Sequence, residues 1–224
     1  MLTNNARLAA LLGMVMAIGL CMLWIDRPVA EFFKLLDRTT PQLVAPFKFL
    51  TDAGKSHWFL LPLAAWCAYA WVSLRFRPGQ SAVWRPRLAG GGFIFTSVAA
   101  SGLLTNALKI LAGRSRPVFL DQDIFNQFTP LAFDAKWWSF PSGHSTTVMA
   151  LALAVGVVAP RWRWPFLIFA GIIMASRVIV AAHYPADLLG GVLVAILTHS
   201  VLLYIFVRRR WDLWAAPHAQ RPLP

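Results

Sequence analysis

Long apolar segments separated by short polar ones dominate the chain, and they predict membrane-spanning helices. A helix needs about 20 mostly apolar residues to cross the hydrocarbon core of a bilayer. Six segments reach or approach that length. They predict an all-α fold, a polytopic bundle of six transmembrane helices forming a single membrane-embedded domain over residues 1–224. The six predicted spans cover residues 8–25, 57–74, 90–111, 143–159, 164–182 and 186–207.

The segments between the first four spans also carry a pattern. After the first span, four apolar residues recur at the spacing of one helix face: Val29, Phe32, Phe33 and Leu36. Charged residues take the other side, so we expect a short helix lying in the outer membrane interface. Trp137 and Trp138 precede the fourth span, where tryptophans commonly anchor a helix at the interface. The alternative for both features is the wall of a groove that takes a lipid.

Composition and charge agree with a membrane protein. The chain is 58% hydrophobic and 13% charged, about half the charge of an average soluble domain, which excludes a disordered chain. Two cysteines within apolar runs exclude a disulfide scaffold. The net charge of +12 would suggest nucleic acid in a soluble protein. Here Lys and Arg flank the spans as topology signals do, so we expect a bilayer and no nucleic acid as the partner.

The distribution of these cations predicts the orientation of the bundle. The segments on the side of the N-terminus hold eleven Lys and Arg residues and one acid. The opposite side holds eight, spread over longer loops with seven acids among them. Because cytoplasmic loops are enriched in Lys and Arg, we expect both termini in the cytoplasm and a location in a bacterial-type inner membrane.

Ionisable residues interrupt the ends of four spans, where a purely structural span would avoid them. With the N-terminus inside, the end of span three, the start of span four, the end of span five and the start of span six lie on one face. That face is extracytoplasmic in the predicted orientation. The polar residues that meet there include Lys109, Arg116, Ser142, Gly143, His144, Arg177, His183 and Asp187.

The cations of this group indicate a phosphate site. Lys109, Arg116 and Arg177 have only one acid near them in the cluster, Asp187, so they would repel one another unless they bound an anion. Arginine offers a planar fork suited to phosphate oxygens. Ser142 can cap the helix that follows it, Gly143 permits close approach to the backbone, and a helix N-terminus binds phosphate well.

Two histidines and an aspartate complete a catalytic set. His183 and Asp187 lie four residues apart, so the carboxylate could hold one ring nitrogen and leave the other as a nucleophile. His144, beside the capping loop, could protonate a leaving alkoxide. A metal would need several carboxylates, and with Asp187 as the only expected acid in the cluster we predict no metal.

Three motifs in this region resemble those of the type 2 phosphatidic acid phosphatase superfamily. They are Lys-x6-Arg-Pro, Pro-Ser-Gly-His and Ser-Arg-x5-His-x3-Asp, and all eleven specified positions match within residues 109–187. The resemblance implies a membrane lipid phosphatase without a cofactor. It implies a phosphohistidine on His183 and a general acid at His144. It also implies a phosphate held by Lys109, Arg116, Ser142, Gly143 and Arg177. Soluble haloperoxidases and acid phosphatases share the motifs, but six spans favour the membrane branch.

Several alternatives stay open on the sequence. The substrate could be phosphatidylglycerol phosphate, phosphatidic acid, undecaprenyl diphosphate or the 1-phosphate of lipid A. A phosphotransferase could use the same intermediate, and a lipid-binding or channel-like protein could retain the site without activity. The stretch 51–57 is expected to be a plain helix entrance, with a role in reading a head group as the alternative. Gly90–Gly92 is expected to be a hinge at the start of span three.

Overall fold

The structure, a computed structural model, describes residues 4–211 and 213. Within these residues the fold is helical, with one isolated antiparallel bridge between Arg114 and Phe128. The prediction of an all-α fold is therefore confirmed. The eight α-helices are α1 Asn4–Leu20, α2 Asp26–Thr39, α3 Pro41–Leu50, α4 His57–Phe76, α5 Ser81–Ala112, α6 Gly143–Val158, α7 Arg163–Ile179 and α8 Pro185–Arg208.

Five helical stretches in the described chain are long and apolar enough to cross a membrane: Leu8–Thr39, Pro41–Phe76, Pro78–Ala112, Pro160–Ile179 and Pro185–Arg208. The fourth predicted span corresponds to α6, which is shorter, at 16 residues. Helix α6 packs against α5, α7 and α8, and most of its residues are buried. It is the central helix of the bundle, so its neighbours are other helices on several sides.

Close helix packing in the bundle relies on small residues. A Cβ atom built on Gly191 of α8 would lie 2.6 Å from the carbonyl oxygen of Ser142, so α8 crosses the N-terminus of α6 at backbone contact. Large apolar side chains such as Leu23 and Trp24 instead remain exposed on the outside of the bundle. An apolar exterior of this kind is typical of a surface that faces lipid.

The first span and the predicted interfacial helix form one continuous helical stretch. A π-helical turn over Cys21–Ile25 joins α1 to α2. Single π-helical turns within α-helices are frequent at functional sites. Asp26, the residue after this turn, is fully buried. Further along α2, Lys34 and Arg38 pair with Asp121 at 2.9 and 2.6 Å and hold the loop after α5.

Two further elements differ from the sequence prediction. Helix α5 begins at Ser81, so Gly90–Gly92 lies inside the helix and the predicted hinge is wrong. A Cβ atom on Gly91 would lie 2.7 Å from Trp66 Cδ1, which shows that this glycine lets α4 pack closely on α5. Helix α3 was not predicted. It contains Pro46, and proline in a helix interior disfavours the helical state.

Candidate active site

The site lies where the ends of α5 and α7 meet the starts of α6 and α8. Lys109 lies in the last turn of α5, and the chain leaves that helix through Gly113 at φ 58°. This left-handed conformation suits glycine, and a Cβ atom here would overlap the carbonyl group of Thr129. The turn brings Arg114 and Arg116 back toward the bundle. Ser142 N donates to the carbonyl oxygen of Asp187 at 2.9 Å and joins the starts of α6 and α8.

Lys109 and Arg116 share one backbone acceptor. Lys109 Nζ donates to the carbonyl oxygen of Trp138 at 2.7 Å, and Arg116 Nη2 donates to the same oxygen at 3.4 Å. A Cβ atom on Gly143 would lie 3.6 Å from Lys109 Cε, so the first turn of α6 faces this lysine. Ser142 caps that turn, as predicted, by accepting a hydrogen bond from Ser145 N at 3.4 Å.

Arg177 completes a group that we call the cationic cluster: Lys109, Arg116 and Arg177. Its Nη1 donates to Thr51 Oγ1 at 2.8 Å. Nε of Arg116 and Nε of Arg177 are buried and have no hydrogen-bond partner among the described residues. No carboxylate in the described chain pairs with any member of the cluster within 4.0 Å. The cluster can therefore bind an external anion without first breaking an ion pair.

His183 and Asp187 form the pair that their spacing predicts. Asp187 Oδ2 lies 3.4 Å from His183 Nδ1, and the same oxygen accepts hydrogen bonds from Ser139 Oγ at 2.5 Å and Tyr184 N at 2.9 Å. Burial lowers the pKa of His183 well below its usual value, although the hydrogen bond to Asp187 opposes this shift. This lowered pKa favours the neutral ring, which is the form that can act as a nucleophile.

Sequence reasoning missed a second acid at the site. Arg114 Nη1 donates to Asp187 Oδ1 at 2.6 Å, and Arg114 Nη2 donates to Asp26 Oδ2 at 2.7 Å. The prediction that Asp187 is the only acid of the cluster is therefore wrong, because Asp26 reaches the site from the first helix. The available signal was an acid directly after the apolar run that ends at Ile25.

The stretch 51–57 lies against His144. Residues Thr51–Gly54 form a 3₁₀ turn, and a Cβ atom on Gly54 would lie 2.8 Å from His144 Cδ2. Asp52 and Lys55 pair with each other at 2.9 Å on the exposed side of this turn. The expectation of a plain helix entrance is wrong, since the turn forms one wall of the site. His144 Nε2 is buried without a hydrogen-bond partner in the part of the chain that the structure describes.

The loop before α6 also contributes to the site. Trp138 supplies the carbonyl oxygen that the cations share, and its indole Nε1 donates to Ala132 O at 2.7 Å. Both Trp137 and Trp138 are half-buried in this loop. A cleft of about 290 Å³ opens beside it, next to the residues that precede His183. The cleft is lined by Arg116, Val118, Ala135, Lys136, Ala181 and Ala182.

Comparison with known proteins identifies the class to which this fold and site belong. The profile of the PAP2 superfamily matches residues 90–211. The lipid A 1-phosphatase of Rhizobium etli is 35% identical over 193 residues, which cover 82% of this chain and 78% of that protein. The chain therefore belongs to the PAP2 superfamily, and the predicted family is confirmed.

Two further relatives show how far the similarity extends. Undecaprenyl-diphosphatase BcrC of Bacillus subtilis is 35% identical over 97 residues, 43% of this chain and 48% of that protein. The crystal structure of a transmembrane PAP2-type phosphatidylglycerolphosphate phosphatase from Bacillus subtilis has a similar fold. It aligns with a TM-score of 0.60 at 19% identity and covers 88% of this chain and 96% of the other. The likeness in fold thus covers most of both chains.

Proposed function

We propose that this protein is a membrane lipid phosphatase that works through a phosphohistidine on His183. The observation that supports the proposal most strongly is the contrast between the cations of the site. Arg114 is bound to two carboxylates. The cationic cluster lies beside the His183–Asp187 pair without a carboxylate partner among the described residues. Such an arrangement suits a phosphate group placed against a neutral imidazole.

The reaction follows from these positions. The phosphoryl oxygens are held by the cationic cluster and by the backbone N–H groups in the first turn of α6, which begins at Gly143. Ser142 caps this helix. The free ring nitrogen of His183 attacks phosphorus while Asp187 holds the other ring nitrogen. The bond from phosphorus to the leaving oxygen breaks, and His144 gives that oxygen a proton. Water then hydrolyses the phosphohistidine, with His144 accepting its proton.

We propose that the reaction needs no metal ion. Hard cations such as Mg²⁺ bind through carboxylates and other oxygen ligands. The two carboxylates buried in the site, Asp26 and Asp187, both accept hydrogen bonds from Arg114 and face its positive charge. The cationic cluster supplies the charge that a metal would otherwise provide.

We propose six spans, with both termini in the cytoplasm and the site on the outer face of a bacterial inner membrane. The apolar, central α6 supports counting six spans, because a helix surrounded by other helices need not meet the full hydrocarbon thickness on its own. The excess of Lys and Arg on the side of the termini supports the orientation.

Among the candidate substrates, we propose lipid A carrying a 1-phosphate. The similarity to the Rhizobium etli lipid A 1-phosphatase extends over 82% of this chain, beyond the shared motifs. Undecaprenyl diphosphate is the second candidate, because BcrC matches 43% of the chain. A phosphotransferase would use the same residues but pass the phosphoryl group to a second lipid instead of water.

Phosphate release by the purified protein in detergent tests this proposal. The panel contains lipid A 1-phosphate, undecaprenyl diphosphate, phosphatidylglycerol phosphate and phosphatidic acid, with His183→Ala as the inactive control. We expect free phosphate from at least one of these lipids and an unchanged rate in excess EDTA. Loss of turnover in EDTA and its recovery with a divalent metal would contradict the mechanism. Phosphate that appears only on a second lipid would indicate a phosphotransferase. Binding of lipid without any turnover would indicate a non-enzymatic protein.

A further inference from the structure

Three buried ionic side chains connect the first helical stretch to the nucleophile. We call this group the buried charge chain: Asp26, Arg114 and Asp187. All three side chains are fully buried. Arg114 donates to Asp26 at 2.7 Å and to Asp187 at 2.6 Å, and Asp187 in turn lies against His183. The second oxygen of Asp26 accepts a hydrogen bond from Ala186 N at 2.9 Å, in the first turn of α8.

Arg114 is held on every side, so its position is fixed. Its Nε donates to Asn126 Oδ1 at 3.0 Å, and its guanidinium carbon lies 4.5 Å from the centre of the Tyr184 ring. Burial opposes the charge of Arg114, but the attraction of Asp187 and Asp26 outweighs burial and holds the pKa of the guanidinium above its usual value. An arginine fork can hold two carboxylates at once, which the single ammonium of lysine cannot do in the same geometry.

The net charge of the buried charge chain is complementary to a reacting histidine. Two carboxylates and one guanidinium sum to −1 while His183 is neutral. When the ring forms a bond to phosphorus and keeps its proton on the nitrogen beside Asp187, it becomes a cation and the sum becomes zero. Lys109 and Arg116 also face His183 and oppose this positive charge. In the proposed mechanism a phosphate group offsets those two cations.

We propose that Asp26 and Arg114 are positioning residues, which hold Asp187 oriented toward His183 and supply the negative charge that stabilises the cationic ring. This inference rests on the proposed function, with His183 as the nucleophile. It makes the end of the first span a part of the catalytic unit, although no catalytic motif lies there. Neither residue touches the substrate.

Four variants test the inference. Asp26→Asn keeps the size of the side chain and changes the charge of the buried chain from −1 to zero. Arg114→Lys keeps the charge but loses the fork. The double variant Asp26→Asn/Arg114→Gln restores a net charge of −1. Asp37→Asn is the matched control, because Asp37 lies on the same helix α2 and pairs with Lys48 at 2.7 Å outside the site.

Two measurements are made on each variant. Steady-state kinetics with the preferred lipid gives kcat, KM and the pH dependence of kcat/KM. NMR of the protein labelled at histidine follows the titration of the His183 ring, assigned by its loss in His183→Asn. The NMR measurement needs no turnover, so it distinguishes a failure of this inference from a failure of the proposed function.

For Asp26→Asn we expect kcat to fall roughly tenfold while KM stays within about twofold. The reason is that loss of the Asp26 charge weakens the stabilisation of the cationic His183 ring. The pKa of His183 falls further, so the acid limb of kcat/KM moves to lower pH by about one pH unit. In the double variant, the acid limb of kcat/KM and the pKa of the His183 ring should return toward their wild-type values. Arg114→Lys lowers kcat without moving KM, and Asp37→Asn matches the wild type in both measurements.

A purely structural role predicts a different outcome. The double variant would then be damaged at least as much as either change alone, and neither the acid limb nor the ring titration would move in Asp26→Asn. Either result would overturn the inference. If Asp26→Asn does not fold, the single variant Arg114→Gln decides the question. It changes the net charge of the buried charge chain from −1 to −2, so it should raise the pKa of His183 and move the acid limb to higher pH, and the double variant should move the limb back. A purely structural role leaves the limb in place in both variants.

Discussion

At the scale of single residues, the two histidines of the site differ in what surrounds them. His183 is held by a buried carboxylate, Asp187, at 3.4 Å. His144 has no described carboxylate in hydrogen-bond contact, and it lies beside the 3₁₀ turn that contains Gly54. A carboxylate orients an imidazole and stabilises its cation, which a nucleophile needs. A group that only donates a proton to the leaving oxygen needs no such partner.

This difference predicts distinct effects of removing each ring. His183→Ala should abolish turnover and all covalent labelling, because no nucleophile remains. His144→Ala should slow a lipid ester by about 10²–10⁴-fold, typical for a lost proton donor. It should slow p-nitrophenyl phosphate much less, because nitrophenolate leaves without a proton. Acid-quenched labelling with a ³²P-lipid measures the intermediate directly.

The conservative variant Asp187→Asn is the control for this pair. It keeps His183 in place but holds it poorly, so its activity should lie between those of the two alanine variants. Label that persists in His183→Ala and disappears in His144→Ala would reverse the two assignments.

At the scale of elements, the short turn Thr51–Gly54 has a larger role than its length suggests. Thr51 accepts a hydrogen bond from Arg177 of the cationic cluster, and Gly54 lies against both His144 and Ile173. The turn thus contacts Arg177 and His144, the proposed proton donor, from the same side. No side chain of the three sequence motifs belongs to this turn.

We expect Gly54→Ala to impair catalysis through His144. The added Cβ atom would lie 2.8 Å from His144 Cδ2 and 2.5 Å from Ile173 Cγ2, so the turn and the ring can no longer keep their present separation. Displacement of a catalytic group by about 1 Å can cost on the order of 100-fold in rate. The loss should be large with a lipid ester and small with p-nitrophenyl phosphate, which measures proton donation specifically.

Gly79→Ala is the matched control, because a Cβ atom at Gly79, also in a 3₁₀ turn, meets no atom within 4 Å. Its kinetics should equal those of the wild type with both substrates. If Gly54→Ala lost the same fraction of its activity with the lipid ester and with p-nitrophenyl phosphate, the turn would not act through His144.

The sequence predicts well those elements whose ends are determined by hydropathy, and it predicts the others poorly. The long apolar helices α4 and α8 were predicted to within two residues at each end. The start of α5 differs from the prediction by nine residues, because Gly90–Gly92 resembles a break in the sequence, whereas in the structure it lies inside the helix and Gly91 lets Trp66 pack closely. The π-helical turn Cys21–Ile25 has no residue pattern that distinguishes it from ordinary α-helix.

At the scale of the whole molecule, the orientation of the bundle decides which pool of lipid the site meets. The loop over residues 118–136 lies next to the site, since Arg116, Val118 and Lys136 line the same cleft. The turn over residues 78–80 joins α4 to α5 at the opposite ends of those helices. The proposed topology therefore places the two segments on opposite sides of the membrane.

Cysteine labelling in intact cells tests this placement. In a Cys21→Ala/Cys67→Ala background, Phe133→Cys should react with an impermeant maleimide, because Phe133 is 78% exposed in the loop that the proposed topology places outside. Gly79→Cys should react only after the cells are permeabilised. The opposite pattern of labelling would place the active site in the cytoplasm.

The site itself could be predicted only in part, for a reason of distance along the chain. Lys109, His144 and Asp187 lie at the ends of the third, fourth and sixth spans, so counting helices is enough to bring them to one face. Asp26 contacts Arg114 across 88 residues and Ala186 across 160 residues. No periodicity or motif links positions so far apart, and the contact depends on how the first helical stretch packs against α8.

The contact between Asp26 and Ala186 sets an order for biosynthesis. A ribosome adds about 5–20 residues per second, so Asp26 emerges roughly 8 to 32 s before Ala186. Arg114 follows Asp26 by 88 residues and is made within that interval, whereas the contact with Ala186 can form only after α8 begins. A nascent chain therefore carries an incomplete, inactive site until α8 is inserted. The enzyme becomes competent only when the start of α8 reaches Asp26.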